Sequence, residues 1–505
     1  MRRRLAETPL LVVLCALTGC LTFVPAIHGV ATDQHAAARA FFYSGLILLI
    51  LTAMLWIATA AYSPRDIARS QLGSLVIAFF ILPLVMVLPM LEAVPDTSFV
   101  NAWFEMTSSF TTTGATVFAP DRLFDTVHLW RACIGWFGGL LTLLGAFAIL
   151  TPLNLGGFEV ATGRVPGRGT YSATQVSGSV EPSDRMVRLA IQILRLFTAL
   201  TLLLWCGLML MGEGATTALI HAMGTLSTSG ISGQTGFSTA AAGVPGEVLV
   251  LGFLVLALSH RAHQRLGIGL GRSGRLRDDP ELRLAAVLVL LVTAILLVRH
   301  AFAANGGGGG AGQMLAALWG TVFTATSFLT TTGYVSTDWQ DAAQWSGIGP
   351  PGLILLGLAL VGGGTATTAG GVKLLRVLAL LRQTEHELQR VIHPTLIGGG
   401  GTGARRLRGE GAQLAWVFFM LFAATIALVV ACLTLFGLEF EPALVLTIAA
   451  LTTTGPLAAL GSADPISYAA LSDPVKLVLG LAMIVGRLET VALFAFFLPL
   501  LRRDD

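Results

Sequence analysis

Four short phrases hold the densest ligand-like chemistry in this chain: FTTTG at Phe110–Gly114, LSTSG at Leu226–Gly230, and LTTTG at both Leu329–Gly333 and Leu451–Gly455. Each offers successive backbone carbonyls, short hydroxyl side chains that can tie a loop to its surroundings, and a glycine that permits φ > 0 so that carbonyls can turn inward. One copy alone reads as a helix C-terminal cap with glycine in the left-handed position. Four copies, roughly a hundred residues apart, describe an internal repeat. A ring of four such loops would surround a desolvated cation with oxygen ligands, which is how a cation selectivity filter is built. The expected ligand set is Thr112, Thr113 and Gly114; Thr228, Ser229 and Gly230; Thr331, Thr332 and Gly333; and Thr453, Thr454 and Gly455. In each set the two residues before the glycine supply the carbonyls and the glycine supports the ring.

Loops of this kind need a scaffold at membrane depth, and the composition provides one. Hydrophobic residues make up 54% of the 505 and charged residues 12%. The mean hydropathy is +0.77, far from a soluble domain. A net charge of +3 is too small to suggest a nucleic-acid partner. Long apolar runs lie at Pro9–Ile27, Ala40–Ala61, Leu72–Met90, Ile134–Leu153, Val187–Met211, Leu282–Val298, Leu414–Gly437 and Leu477–Leu500. Two weaker ones lie at Glu247–Ser259 and Gly352–Val361. With about 20 apolar residues needed per crossing, these predict ten spanning helices. The first run follows Arg2, Arg3 and Arg4 but is long for a leader's apolar core, so it reads as a retained helix. The five cysteines fall in or beside apolar runs and read as packing residues.

Basic residues orient the chain. Arg65 and Arg69, then Arg164–Arg188, Arg261–Arg283 and Lys373–Arg408, alternate with segments carrying mostly acids such as Glu92, Asp96, Asp338, Glu439 and Asp464. The positive-inside rule places the basic segments and both termini in the cytoplasm, and all four phrases outside. The expected organisation is an all-α polytopic membrane protein, with an N-terminal helix pair at 1–68 and four units at 69–160, 161–278, 279–403 and 404–505. Each unit reads as helix, pore half-helix, filter loop, helix, arranged around one pseudo-fourfold pore. The half-helices fall near Phe99–Phe110, Thr216–Leu226, Met314–Leu329 and Pro442–Leu451, and their C-terminal ends aim negative dipoles at the phrases. Gly-rich stretches at Asn305–Gly312 and Gly398–Gly403 read as flexible connections.

Further motifs make the chain recognisable. Gly135-Trp136-Phe137-Gly138-Gly139, Asp279-Pro280-Glu281-Leu282-Arg283, Gly363-Gly364 with Thr367-Thr368-Ala369-Gly370-Gly371-Val372-Lys373, and Gly486-Arg487-Leu488-Glu489 accompany the four phrases. With them the chain resembles the superfamily of K+ transporters that includes TrkH, TrkG and KtrB, and the two leading helices make it most like TrkH and TrkG. The resemblance implies K+ as the transported ion, no organic cofactor, a homodimer, and a cytosolic nucleotide-binding partner of the TrkA or KtrA kind. The basic segments are then docking candidates, although topology and anionic-lipid contact explain them equally well.

Gly362, Gly363, Gly364, Gly370 and Gly371 cost a helix interior roughly 1 kcal/mol each. Close packing through small residues is one account. The resemblance favours a broken helix whose middle forms an intramembrane gate loop, lined by Thr365, Thr367 and Thr368, with Lys373 at its cytoplasmic exit. Ala366 stands where relatives often have glycine, which implies a stiffer loop. Arg487 and Glu489 lie in an apolar helix, and read either as a barrier below the filter or as an ion pair. Glu105 reads as an anchor for the first phrase. His260 and His263 lack the further ligands a metal would need. Tyr334 and Pro456, which follow two of the phrases, make the fourfold symmetry approximate.

Neither an H-E-x-x-H nor a G-x-S-x-G element is present, and no Walker loop for ATP. The reading is therefore gated K+ uptake across the inner membrane, driven by the membrane potential or coupled to H+ or Na+, and not an enzyme. An alternating-access cation symporter is the alternative, but it calls for an inverted two-part repeat rather than four units of one orientation.

Overall fold

In the computed structural model, residues 9–59, 67–150, 182–233, 236–266, 278–303, 311–339, 352–392, 410–462 and 464–488 are described, and these are helical with no β-strand among them. The first apolar run forms α1 (Leu10–Leu21) and α2 (Phe23–Ala31), broken at Thr22, whose hydroxyl donates to the Gly19 carbonyl at 2.8 Å. Both pack on α3 (His35–Ala58). Gly45 of α3 lets the two lie close, since a Cβ there would meet the Thr22 hydroxyl. His28 of α2 bridges Thr126 and Thr216 at 3.0 and 3.1 Å, fixing the leading helices to the first two units.

The units then follow in chain order. The first comprises α4 (Ile67–Ala93), α5 (Phe99–Phe110) and α6 (Asp125–Leu144), the last running into a π-turn at Gly145–Leu150. The second comprises α7 (Pro182–Leu210), α8 (Ala215–Leu226), α9 (Gly243–Leu258) and the short α10 (His260–Arg265). The third comprises α11 (Pro280–Ala303), α12 (Ala311–Leu329), α13 (Gly352–Val361) and α14 (Leu374–Ile392). The fourth comprises α15 (Glu410–Leu435), α16 (Phe440–Leu451), α17 (Leu457–Leu460) and α18 (Asp473–Leu488).

The half-helices α5, α8 and α16 have 12 residues each, about 18 Å of helix and too short for a crossing of about 30 Å. Each half-helix packs between its own spanning helices and against the second helix of the preceding unit: α8 on α6, α12 on α9, α16 on α13, and α5 on α18. That last contact joins the fourth unit to the first and closes a cycle of four.

Seven helices among the described residues are long and apolar enough to cross a bilayer, at Leu10–Ala31, His35–Ala58, Gly73–Ala93, Asp125–Phe147, Val187–Leu210, Pro280–Leu297 and Gly411–Leu435. Outward faces such as Ile50, Met54 and Ile57 of α3 or Leu290 and Leu291 of α11 are exposed and apolar, as lipid contact requires. The two weak runs are short helices. Helix α9 ends at Leu258 because Ser259 is extended (φ −149°, ψ 127°), so the basic residues after it stay out of the span. Helix α13 stops at Val361, where Gly362 takes φ +74°. The end of the Leu477–Leu500 run, Glu489, most of both Gly-rich stretches, and parts of the basic segments lie outside the described residues.

Candidate ion pathway

Each half-helix ends in the same hydrogen-bonded turn. Thr112, Thr228, Thr331 and Thr453, the middle residues of the four phrases, sit in the left-handed region at φ +57°, +52°, +57° and +54°. Their N–H groups donate to carbonyls three residues back at 3.0–3.2 Å. The next residues, Thr113, Ser229, Thr332 and Thr454, donate to carbonyls five back at 2.8–2.9 Å. This is the double-bonded helix cap that usually requires glycine at the left-handed position. Here a β-branched threonine occupies that position four times, an unfavourable placement that packing must impose.

Behind each turn the first and third hydroxyls of the phrase pair: Thr111 with Thr113 at 2.8 Å, Ser227 with Ser229 at 3.0 Å, Thr330 with Thr332 at 3.0 Å and Thr452 with Thr454 at 3.2 Å. Hydroxyls thereby fasten the phrase to itself. The Thr112 and Thr453 hydroxyls have no protein partner among the described residues.

The glycines bring the four phrases together. A Cβ built on Gly114 would lie 2.0 Å from the Ser229 carbonyl oxygen, and one on Gly230 would lie 2.0 Å from that of Thr332. One on Gly333 would meet Pro456 at 2.8 Å, and one on Gly455 would meet the Ala115 nitrogen at 2.3 Å. Phrase one thus touches two, two touches three, three touches four, and four returns to one. Gly114, Gly230 and Gly333 have positive φ, whereas Gly455 does not. Gly455 turns straight into α17, and its N–H donates to the Thr113 carbonyl at 2.6 Å. One of the expected ligand carbonyls therefore already accepts a bond from the protein. The approximate symmetry anticipated from Pro456 has this geometric form.

Buried carboxylates hold the segments that follow the phrases. Glu105 of α5 is fully buried, pairs with Arg131 at 2.5 Å, and accepts from the Val117 N–H at 3.0 Å and the Thr116 hydroxyl at 3.2 Å. Glu247 of α9 does the same work for the third phrase, accepting from Trp319, from the Ser336 hydroxyl and from the Thr337 N–H, each at 2.7 Å. Sequence reasoning singled out Glu105 but missed Glu247, whose partners lie 72 to 90 positions away. The Tyr334 hydroxyl reaches the Ile231 carbonyl at 3.3 Å, and that of Tyr468 reaches the Gly455 carbonyl at 3.1 Å. The second helices come close through glycine: a Cβ on Gly138 would clash with the Phe110 carbonyl, and one on Gly486 with that of Leu451.

Residues 362–373 form a buried loop between α13 and α14, packed against the helix ends that carry the phrases. Its Gly370 N–H donates to the Thr331 hydroxyl at 2.7 Å, and its Thr368 hydroxyl to the Leu226 carbonyl at 3.3 Å. Gly363 and Gly364 pass against the backbone of Ala257 and Leu258, and Gly371 passes against Gly362. Of the threonines expected to line it, Thr365 turns to Glu281 and Thr367 donates to the Gly364 carbonyl at 2.7 Å. Lys373 is buried, with φ +84°, and its ammonium donates back to the Ala369 carbonyl.

Arg487 of α18 reaches the loop from the opposite side, donating to the Thr368 carbonyl at 2.5 Å and to the Thr142 hydroxyl at 2.9 Å. A cavity of about 30 Å³ lies between them, lined by Thr142, Thr367, Gly370, Lys373 and Arg487 among others. That is room for about two waters. The two histidines of the short α10 part company. His260 faces Glu281 at 2.8 Å, while His263 is buried, and desolvation pulls its pKa down to about 4, leaving it neutral. No group of three metal-ligating side chains occurs among the described residues.

An all-helical membrane protein with this arrangement belongs to the polytopic transport proteins, and the comparisons agree. A family model described as TrkH, cation transport protein, matches residues 284–504. The chain is 26% identical over 486 residues to the Trk system potassium uptake protein TrkH of Escherichia coli (strain K12), covering 93% of this chain and 94% of that one. It is 29% identical over 453 residues to the protein of the same name from Halomonas elongata, covering 87% and 88%. Its fold matches the crystal structure of the potassium transporter TrkH from Vibrio parahaemolyticus with a TM-score of 0.78, at 24% identity and with both chains fully covered. The chain is thus similar over nearly its whole length to the Trk potassium uptake proteins, and its residues 284–504 match the TrkH family model.

Proposed function

We propose that the protein takes up K+ across the cytoplasmic (inner) membrane through a filter made by the four phrases, with residues 362–373 and Arg487 as its gate. The observation that carries this is the closed cycle of contacts among the phrases, with the same left-handed threonine turn in each. Carbonyls of Thr112, Thr113, Thr228, Ser229, Thr331, Thr332, Thr453 and Thr454 would replace the water shell of a weakly hydrated cation, and the four glycines would hold the ring together. That the ion is K+ is supported by relatives named potassium uptake proteins.

Below the ring, the loop and the Arg487 guanidinium stand in the path and oppose cation passage when the loop is in place. A potential of 100 mV is worth about 2.3 kcal/mol per charge, enough for roughly fiftyfold accumulation. No further energy source is needed in a polarised cell. We place both termini and the basic segments in the cytoplasm. There a nucleotide-binding subunit of the TrkA or KtrA kind would dock on a homodimer of this chain.

The test is Rb+ entry into liposomes holding the purified protein under an inside-negative potential, with Na+ as competitor and with the cytosolic partner and nucleotide added. Saturable entry that Na+ barely affects is expected. Entry indifferent to the cation would end the filter reading.

A further inference from the structure

We propose that Glu281 is a latch for the intramembrane loop: a positioning residue whose two carboxylate oxygens join the loop to the kink between α9 and α10 and so set how readily the loop leaves its place. The inference rests on the reading of residues 362–373 as the gate. Glu281 lies in the first turn of α11 and is fully buried. Its Oε1 accepts from the Thr365 N–H at 2.9 Å and from the Thr365 hydroxyl at 2.8 Å. Its Oε2 faces His260 Nδ1 at 2.8 Å and the His260 N–H at 3.4 Å. One oxygen thus serves the gate loop and the other serves α10.

The neighbours fix the carboxylate itself. Asp279, also fully buried, accepts the Glu281 N–H on Oδ1 at 3.1 Å and the Ser259 hydroxyl on Oδ2. Ser259 is the extended residue at which α9 stops and α10 starts, and its hydroxyl also accepts the Arg261 N–H at 3.1 Å. The kink, the start of α11 and the gate loop are therefore joined through two buried acids.

A buried carboxylate is tolerated only while its acceptor sites are filled. If the loop moves away, Oε1 loses both Thr365 donors, so the charge penalises loop departure. The loop is also held by Gly370 on Thr331, Thr368 on Leu226 and Arg487 on the Thr368 carbonyl, and Glu281 adds to these bonds from the side of α10 and α11. Conversely, a displacement of α10 pulls on Oε2 and reorients Oε1. The cytoplasmic basic segment, which begins at Arg261, thereby has a mechanical route to the gate that does not pass through the filter.

The test uses the full-length protein in liposomes, with Rb+ as the probe under an inside-negative potential and no cytosolic partner. Glu281→Gln keeps the shape but removes the charge and one acceptor. It is expected to raise basal Rb+ flux about tenfold, equivalent to about 1.4 kcal/mol, at unchanged Rb+ KM and unchanged preference over Na+. Amide hydrogen exchange in the peptide spanning residues 362–373 should accelerate in parallel. Thr365→Val, which removes the hydroxyl's contacts with Glu281 and with His260 Nδ1 but keeps the N–H donor, should give a smaller rise in the same direction and decides the matter if the Gln variant fails to fold. A variant shortened within Gly362–Gly371 separates the two readings. If it raises flux while Glu281→Gln and Thr365→Val do not, the latch is overturned and the gate stands. If the shortened variant leaves flux unchanged, the gate reading itself falls.

Discussion

Replacing Gly114 by alanine tests the ring most directly. The new Cβ would lie 2.0 Å from the Ser229 carbonyl oxygen, where ordinary contact begins above 3 Å, so the first and second phrases must part by about 1 Å. A preorganised binding constellation tolerates about 0.5 Å. The backbone adds a second cost, because alanine at φ +72° is strained by about 1–2 kcal/mol. That strain alone is small beside a typical stability of about 5–15 kcal/mol, so the protein should still fold. Gly212 supplies the control: it has φ +96°, but a Cβ there meets nothing within 4 Å. Gly212→Ala carries the same kind of strain without disturbing the ring. In Rb+ uptake with Na+ as competitor, Gly114→Ala should lose preference for Rb+ while retaining a monodisperse elution profile. Gly212→Ala should keep its preference. If Gly114→Ala remains selective, or if both variants lose selectivity equally, the argument from ring contacts is refuted.

Glu105→Ala should destabilise the protein by about 3–5 kcal/mol in a thermal melt in detergent, because Arg131 stays buried without its partner; an unshifted melt would show that the pair is not structural. Arg487→Ala removes the charged donor from the Thr368 carbonyl, and should raise Rb+ flux at least several-fold with selectivity intact, whereas lower flux would mean that Arg487 assists permeation. His263 has a folded pKa of about 4 against about 6.5 unfolded, so protons bind the unfolded chain preferentially between those values. Its contribution, roughly 3 kcal/mol, is fully present above pH 6.5 and is lost as pH falls toward 4. His263→Phe should flatten that part of the stability curve, and an unchanged acid limb would refute the assignment.

Much of the architecture was legible because it obeys local rules. The half-helix at Phe99–Phe110 follows from apolar residues ending at a Thr-rich turn, and α13 stops at Val361 because consecutive glycines cannot sustain a helix. The left-handed threonines were not legible. Propensity argues against a β-branched residue at positive φ, and a sequence reader assigns that conformation to the glycine two places later. Only the packed surroundings of each phrase can impose it. The role of Glu281, visible only as part of a motif, and that of Glu247 were not legible for a related reason. Their partners, Thr365 and Ser336, lie 84 and 89 positions away, and no periodicity links them. Arg487 was legible as a charge needing partners, and among the described residues these include a loop carbonyl and a hydroxyl on other units, which no sequence pattern announces.

The cyclic order of the phrases bears on how the protein is made. Ribosomes deliver the units one after another, and helices enter the bilayer as they emerge. The seam between the first and fourth phrases, at Thr113 and Gly455, cannot form until the last unit has arrived. On the proposed reading, three units alone would form an open arc without the fourth wall, and a chain abandoned midway would enclose no ion.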